Sequence, residues 1–306
     1  MSPEFLLTQV LNGVQFGLLL FLMAAGLTLV FGVMNFINLA HGSLYMMGAY
    51  FAALTFDKTG SFFLAVAAGM GGLFVLGAVL DRVALAVLHR RDHLDQVLAT
   101  FGLILFANEA VRLFWGSAPL YMNVPEWLAQ PVQLFGFNYP AYRGAIIVAG
   151  LAVALGLHLL IDRTRVGMLI RAGASNRDMV AALGIDIGWL TTFIFALGAA
   201  LAGLAGAMVG PILSIQSGMG EPVLILTLVV IVVGGIGSIR GALFGALIVG
   251  LVDTLGRGVL PGLLFKLFSP TVAAAAGPAL ASVGVYLLMA AVLAFRPQGL
   301  FPVRHS

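Results

Sequence analysis

Long apolar runs separated by short polar interruptions make up almost the whole chain. They fall at about 10–33, 37–56, 62–80, 94–115, 144–161, 187–210, 222–236, 242–256 and 271–295. Most approach the roughly 20 residues that an α-helix needs to cross the hydrocarbon of a bilayer. The runs at 222–236 and 242–256 are short, and read either as half-helices or as spans that extend into Gly-rich ends. Backbone amides cannot be left unpaired in lipid, so a chain of this pattern has to be helical. The pattern predicts an all-α, polytopic transmembrane helical bundle of about 8–9 spans with short or broken helices. No polar stretch is long enough for a soluble domain, so residues 1–306 are expected to form a single transmembrane domain.

Composition agrees. Hydrophobic residues make up 61% of the 306 residues and charged residues only 9%, against about 25% charged in soluble domains. Mean hydropathy is +1.09. The 39 glycines suit close helix packing and broken helices. There is no cysteine, which excludes disulfide and thiolate chemistry. The net charge of +3 implies no nucleic-acid partner, because the basic residues are scattered through short loops. The N-terminal MSPEFLLTQV carries no Lys or Arg before its apolar run, so the first span is expected to be retained rather than cleaved.

The distribution of those charges orients the spans. Arg82, Arg90 and Arg91 mark one cytoplasmic loop, and Arg163, Arg165, Arg171 and Arg177 a second. Arg240, Arg296 and Arg304 mark a turn and the C-terminal tail. With nine spans the N-terminus lies outside and the C-terminus inside. The aromatic, Pro-bearing loop 116–142 then lies outside, carrying Tyr121, Trp127, Tyr139 and four prolines.

Two interruptions fall inside apolar sequence. In the first, Asn35, Asn38, His41 and Ser43 lie between the first two spans. Unpaired polar groups in hydrocarbon cost several kcal/mol each. This segment is therefore either a broken or re-entrant piece beside a translocation route, or a satisfied polar turn at the membrane edge. The second is Gly234-Gly235-Ile236-Gly237-Ser238-Ile239-Arg240-Gly241, which reads as a broken helix or tight turn. It is not a phosphate-binding loop, because Arg240 stands where a third Gly is needed and no βαβ unit surrounds it. A shift of 199 residues superposes Leu27-Thr28-Leu29-Val30 on Leu226-Thr227-Leu228-Val229, and Ile37, Gly42, Leu44 and Tyr45 on Ile236, Gly241, Leu243 and Phe244. Both a true internal repeat and a chance match of Gly-rich apolar sequence are compatible with that echo.

The longest compact polar interruption, 163–186, carries four arginines. Ser175 with Asp178 three residues on resembles a capping box, and Gly184 is a helix stop, so a helix of about eight residues is expected between them. Met179, Val180 and Leu183 can share one of its faces, flanked by Arg171, Arg177 and Asp178. An apolar knob of this kind fits a groove on a soluble partner, or lies on the membrane interface.

Other charged residues have close partners. Glu109 and Arg112 can pair at i, i+3, with Asn108 beside them. Asp253 precedes Arg257 by four residues, and His158 precedes Asp162 by four. There is no GxxxxGK[ST] motif, and neither lysine, Lys58 or Lys266, follows a glycine. The chain therefore has no P-loop for ATP. HExxH, GxSxG and clustered metal ligands are absent too, so no catalytic residue, metal or cofactor is expected, and the chain does not read as an enzyme.

Three segments carry a resemblance. Gly26-Leu-Thr-Leu-Val-Phe-Gly32 is followed by Asn35-Phe-Ile-Asn38-Leu-Ala-His41-Gly42. Arg171-Ala-Gly-Ala-Ser175-Asn-Arg-Asp178 runs on to Leu183-Gly184-Ile185, and Gly234-Gly235-Ile236-Gly237-Ser238 precedes Gly241 and Gly245. In order and spacing these resemble the LivH-type inner-membrane permeases of branched-chain amino acid ABC importers, with Arg240 where that family often has proline.

The resemblance implies a multi-pass permease domain in a bacterial inner membrane, forming half of a pathway for leucine, isoleucine or valine. The implied partners are a second related permease, two ABC ATPase subunits on the cytoplasmic side, and a periplasmic or extracellular solute-binding protein received by loops such as 116–142. Residues 163–186 would be the coupling loop, with Ser175, Arg177, Asp178, Met179, Val180, Leu183 and Gly184 as the ATPase contact. Asn35, Asn38, His41, Ser43, Gly234, Gly235 and Gly237 are the pathway candidates. Another amino acid, urea or an amide as substrate, or a stand-alone secondary transporter, are the alternatives. The last needs intramembrane carboxylates, and this chain offers mainly Glu109 and Asp253.

Overall fold

A computed structural model describes residues 2–302 other than Ile37, Arg90 and Phe135. Arg90 and Arg304 of the charge pattern, and Ile37 of the 199-residue echo, lie outside the described residues. The chain runs through α1 (Pro3–Met34), α2 (His41–Thr59) and α3 (Phe62–Leu80), which passes through a π-helical turn, Asp81–Leu85, into α4 (Ala86–Leu88). Next come α5 (His93–Trp115), the short α6 (Glu126–Ala129), strands β1 (Pro131–Leu134) and β2 (Phe137–Pro140), and α7 (Ala141–Arg163). Two short helices, α8 (Arg165–Ser175) and α9 (Arg177–Ala182), lead to α10 (Ile187–Val209), α11 (Gly220–Gly234), α12 (Ile239–Leu264) and α13 (Pro270–Phe295).

The protein is an all-α membrane fold, as the apolar runs predict. Seven helical segments among the described residues are long and apolar enough to cross a bilayer: Pro3–Met34, Phe62–Leu88, His93–Trp115, Ala141–Arg163, Ile187–Val209, Ile239–Leu264 and Pro270–Phe295. The predicted short run at 222–236 is the 15-residue apolar helix α11. The run at 242–256 is instead part of the 26-residue α12, which continues through Pro261. α2 is a further helix of 19 residues, with His41 at its start and Asp57 and Lys58 near its end. One departure from all-α lies in the loop 116–142. There β1 and β2 pair antiparallel as a small hairpin in the register Val132↔Tyr139 and Gln133↔Asn138. The sequence pattern there shows only an aromatic, Pro-bearing loop.

Local signals set the element ends. α2 stops at Gly60, whose φ of +66° is the left-handed conformation of a helix C-terminus. Ser61 then caps α3, its hydroxyl accepting from the Leu64 amide at 3.4 Å.

The contacts fall into two compact units. The first comprises Met1–Phe21, Glu126–Leu151 and Leu226–Val303, and the second is formed by Leu22–Pro125 and Ala152–Ile225. Within the first, α12 and α13 form the main helix pair. Asn12 of α1 ties the hairpin and α7 together there, accepting from Arg143 Nη1 at 2.6 Å and from the Tyr139 hydroxyl at 3.4 Å.

Within the second unit α2, α3 and α10 form the core. Gly48 of α2 lies so close to the Gly203 backbone of α10 that a β-carbon at position 48 would clash with it. Such small-residue contact is how membrane helices gain packing energy when lipid is as apolar as leucine. Almost all of α10 is buried, from Leu190 to Val209.

Candidate functional site

The 163–186 segment is a chain of capped helices. Thr164 caps α8, its hydroxyl accepting from the Gly167 amide at 3.1 Å. Asn176 ends α8 and starts α9, its side-chain oxygen accepting from the Met179 amide at 2.9 Å. Asp186 in turn caps α10 through the Trp189 amide at 3.1 Å.

The structure corrects the expected start of the central helix. Ser175 is the last residue of α8, with helical backbone, whereas Asn176 has the extended conformation (φ −155°, ψ 101°) that a cap requires. α9 is accordingly six residues long rather than about eight. The stop is where the sequence places it, with Gly184 at φ +80°.

The apolar face also divides. Met179 and Leu183 are 59% and 73% exposed, whereas Val180 is 4% exposed and packs inward. Asp178 is exposed in the first turn of α9, where a carboxylate complements the helix dipole. Arg177 turns inward. Its Nε and Nη2 are enclosed without a hydrogen-bond partner among the described residues, and burial lowers its pKa against the opposing pull of Asp178.

At the first break the candidates separate. Asn35 is exposed and takes a positive φ of 48°, so it is the left-handed stop of α1. Asn38 is 1% exposed. Its Oδ1 accepts from the Ala40 amide at 3.0 Å, while its Nδ2 is buried with no partner among the described residues. His41 is buried with its Nε2 3.2 Å from the carbonyl of Met23. Met23 lies eleven residues before the end of α1, so the segment after Met34 doubles back alongside that helix. The Oγ of Ser43 and the Oγ1 of Thr28 are likewise buried without partners. Each such group costs about 1–3 kcal/mol.

The second break is built from backbone. Gly235 and Gly237 have φ of +106° and +83°, and a β-carbon on Gly234 would meet the Gly241 carbonyl. Val233 and Gly234 carbonyls accept from the Leu300 and Phe301 amides, each at 2.9 Å, and Ser238 caps α12 through the Gly241 amide at 3.0 Å. These glycines sit in a turn sewn to the C-terminal segment, and the break matches the predicted tight turn. The 199-residue shift also carries the end of α1 and the start of α2 to within one residue of the end of α11 and the start of α12.

The expected ion pairs form. Arg112 Nη1 lies 2.9 Å from Glu109, both exposed, a geometry that contributes little in solvent. Arg257 grips Asp253 at 2.8 Å, with Asp253 buried, and also donates to Ser282 at 3.0 Å. His158 stands 2.9 Å from Asp162.

Sequence reasoning missed two long-range sites. Asn108 donates to Glu221 at 2.7 Å and accepts from the Gly218 amide at 3.2 Å. Buried Asp81 accepts from the Thr192 hydroxyl at 2.7 Å and lies 3.3 Å from His89 Nε2. Both unite residues more than a hundred positions apart. The clue in the sequence is that Asp81 and Glu221, both beside apolar runs, have no basic residue three or four positions away.

A bundle of apolar helices that retains buried, unpartnered polar side chains at a helix break, and presents a capped helix pair between two spans, defines a multi-pass membrane protein of the transport class. The model of the branched-chain amino acid transport system permease component matches residues 9–294, and the chain belongs to that family. It is 31% identical over 282 residues to the high-affinity branched-chain amino acid transport system permease protein LivH of Escherichia coli, covering 85% of this chain and 89% of that one. It is also 31% identical over 312 residues to the corresponding protein BraD of Pseudomonas aeruginosa, covering 96% and 95%. The ribose import permease protein RbsC of Escherichia coli is 27% identical over 262 residues, covering 83% and 79%. No solved structure matches the chain.

Proposed function

We propose that this chain is the membrane-spanning subunit of an ATP-driven importer for leucine, isoleucine or valine, in the plasma (inner) membrane. The observation that carries the reading is the match of the branched-chain permease family over residues 9–294, in a chain with no P-loop of its own. The energy therefore comes from a separate pair of ATPase subunits on the cytoplasmic side. The whole chain acts as one permease domain and forms half of the pathway, with a second, related permease supplying the other half.

Met179 and Leu183, exposed four residues apart on α9, form the knob that enters an ATPase groove. Val180 anchors that helix from behind. The hairpin loop 116–142 faces the solute-binding protein. Among the pathway candidates, Asn38, His41 and Ser43 line the route; Asn38 and Ser43 hold buried polar atoms without a partner among the described residues, which supports this reading. Gly234, Gly235 and Gly237 shape the fold instead, and Asn35 ends α1.

Similarity to a fructose import permease at 28% identity and a ribose import permease at 27% supports a second reading, an ATP-driven importer of another small polar solute. Uptake into proteoliposomes holding the permease pair, the ATPases and the binding protein decides between them. Radiolabelled leucine should accumulate only with internal ATP and all partners present. Accumulation driven by the chain alone would overturn the reading, and ATP-dependent uptake of ribose but not leucine would replace its substrate.

A further inference from the structure

The polar groups of the second unit that the transport reading leaves unused converge where α3, α4, α9, α10 and the first break meet. Asp81 opens the π-helical turn that continues α3, and is 2% exposed. Such turns, inserted into an α-helix, frequently occur at functional sites. One carboxylate oxygen accepts from Thr192 of α10 at 2.7 Å, and the other lies 3.3 Å from Nε2 of His89. The His89 ring packs edge-on against Phe36 at 5.4 Å between centroids. Phe36 is completely buried and lies two residues before Asn38.

From the other side, the inward-turned Arg177 of α9 acts electrostatically on His89. Gln96 of α5 fixes the corner, donating to the Leu88 and Arg91 carbonyls at 3.2 and 3.1 Å. Burial lowers the pKa of His89, with Asp81 opposing and Arg177 adding to that shift. At neutral pH the ring is therefore uncharged beside the carboxylate.

We propose that Asp81, His89 and Thr192 are positioning residues that form a joint, carrying movement of α9, through the α10 on which it packs, to Phe36 and the first helix break. The inference rests on the reading of α9 as the ATPase contact. The Thr192–Asp81 hydrogen bond is directional, with few alternative geometries. A shift of α10 therefore has to be answered at Asp81, and through it at His89 and Phe36. A purely apolar junction would let α9 slide without moving the break. A buried carboxylate left without partners is costly, which gives the joint discrete arrangements rather than a continuum.

The test is the ratio of leucine transported to ATP hydrolysed in the assembled importer, for Asp81→Asn, His89→Gln and the pair together. Asp81→Asn keeps the side-chain volume and removes the charge. Its ATPase subunits should remain bound and its thermal unfolding should stay close to that of the parent, while the ratio falls about tenfold. The double variant should fall no further than the worse single variant, because both changes break one element. If Asp81→Asn does not assemble, Thr192→Val reads the same ratio, with a smaller loss expected. An unchanged ratio with ATPases bound overturns the joint, as does a loss explained by ATPase release. Met179→Asp in the same preparation separates the two ideas: ATPases that stay bound to it refute the docking reading, whereas a failure of the joint alone leaves Met179→Asp unable to hold them.

Discussion

The two helix breaks have the same outline and opposite construction. In each, a helix ends, a short segment turns (residues 35–40 in one, 235–238 in the other), and a new helix begins, and the helix ends coincide to within one residue at a shift of 199. The break between α11 and α12 is made of glycine backbone at positive φ, sewn by amide hydrogen bonds to Leu300 and Phe301. It holds no side-chain polar atom that is buried and unpartnered among the described residues. The break between α1 and α2 is made of side chains, and Asn38 and Ser43 keep buried polar atoms with no partner among the described residues. A turn with no buried, unpartnered side-chain group among the described residues has a structural explanation. A turn that keeps such groups at a cost of about 1–3 kcal/mol each needs another one. That difference is why we propose the route at the first break and an architectural role for the second.

The largest expected effect comes from breaking the structural turn. Gly235→Val forces a β-branched residue to φ +106° and sets its β-carbon 2.9 Å from the Phe301 carbonyl oxygen. Strain of this kind costs on the order of 1–3 kcal/mol before the clash is added. Folded yield and thermal unfolding in detergent should fall sharply, and uptake should fall with them. Asn38→Leu should do the reverse. It loses one hydrogen bond to Ala40 and removes one orphan donor, so stability should change by less than about 1 kcal/mol. Uptake by the assembled importer should nevertheless drop roughly tenfold, a transition-state loss near 1.4 kcal/mol. Equal losses of stability and uptake at both sites would erase the contrast.

A smaller effect is pH-dependent. His89 is held below its ordinary value of 6.5, chiefly by burial. The unfolded chain therefore binds a proton at a higher pH than the folded one does. Its contribution to stability is fully present above about pH 6.5 and is lost as pH falls toward the lowered folded value. His89→Gln should flatten that part of the stability profile, as measured by unfolding at pH 5.5 to 7.5 relative to the parent. Ser43→Ala should have the smallest effect, a slight gain in unfolding temperature with a modest loss of uptake.

Much of this architecture is legible in the sequence because lipid imposes one rule, that apolar runs of sufficient length become helices. The nine apolar runs correspond to α1, α2, α3, α5, α7, α10, α11, α12 and α13. The Glu109–Arg112 and Asp253–Arg257 pairs are legible for a related reason, since spacing along one helix fixes their geometry. The start of α9 was read one residue early. Ser175 and Asn176 are both cap-forming types, and only the end of α8 decides between them. Val180 was placed with Met179 and Leu183 because spacing cannot show which arc of a short helix faces the protein. The Asp81–Thr192 and Asn108–Glu221 contacts are set by helix packing, and no periodicity in the chain encodes them.

In the proposed importer the work of ATP hydrolysed on another chain enters this one at α9. Co-purification of the ATPase subunits with the Met179→Asp permease tests it most directly, since Met179 is exposed and its replacement leaves the buried Val180 anchor in place. The account predicts a permease that inserts and unfolds like the parent but no longer retains the ATPases. A Met179→Asp permease that retains them at the parent stoichiometry would contradict it.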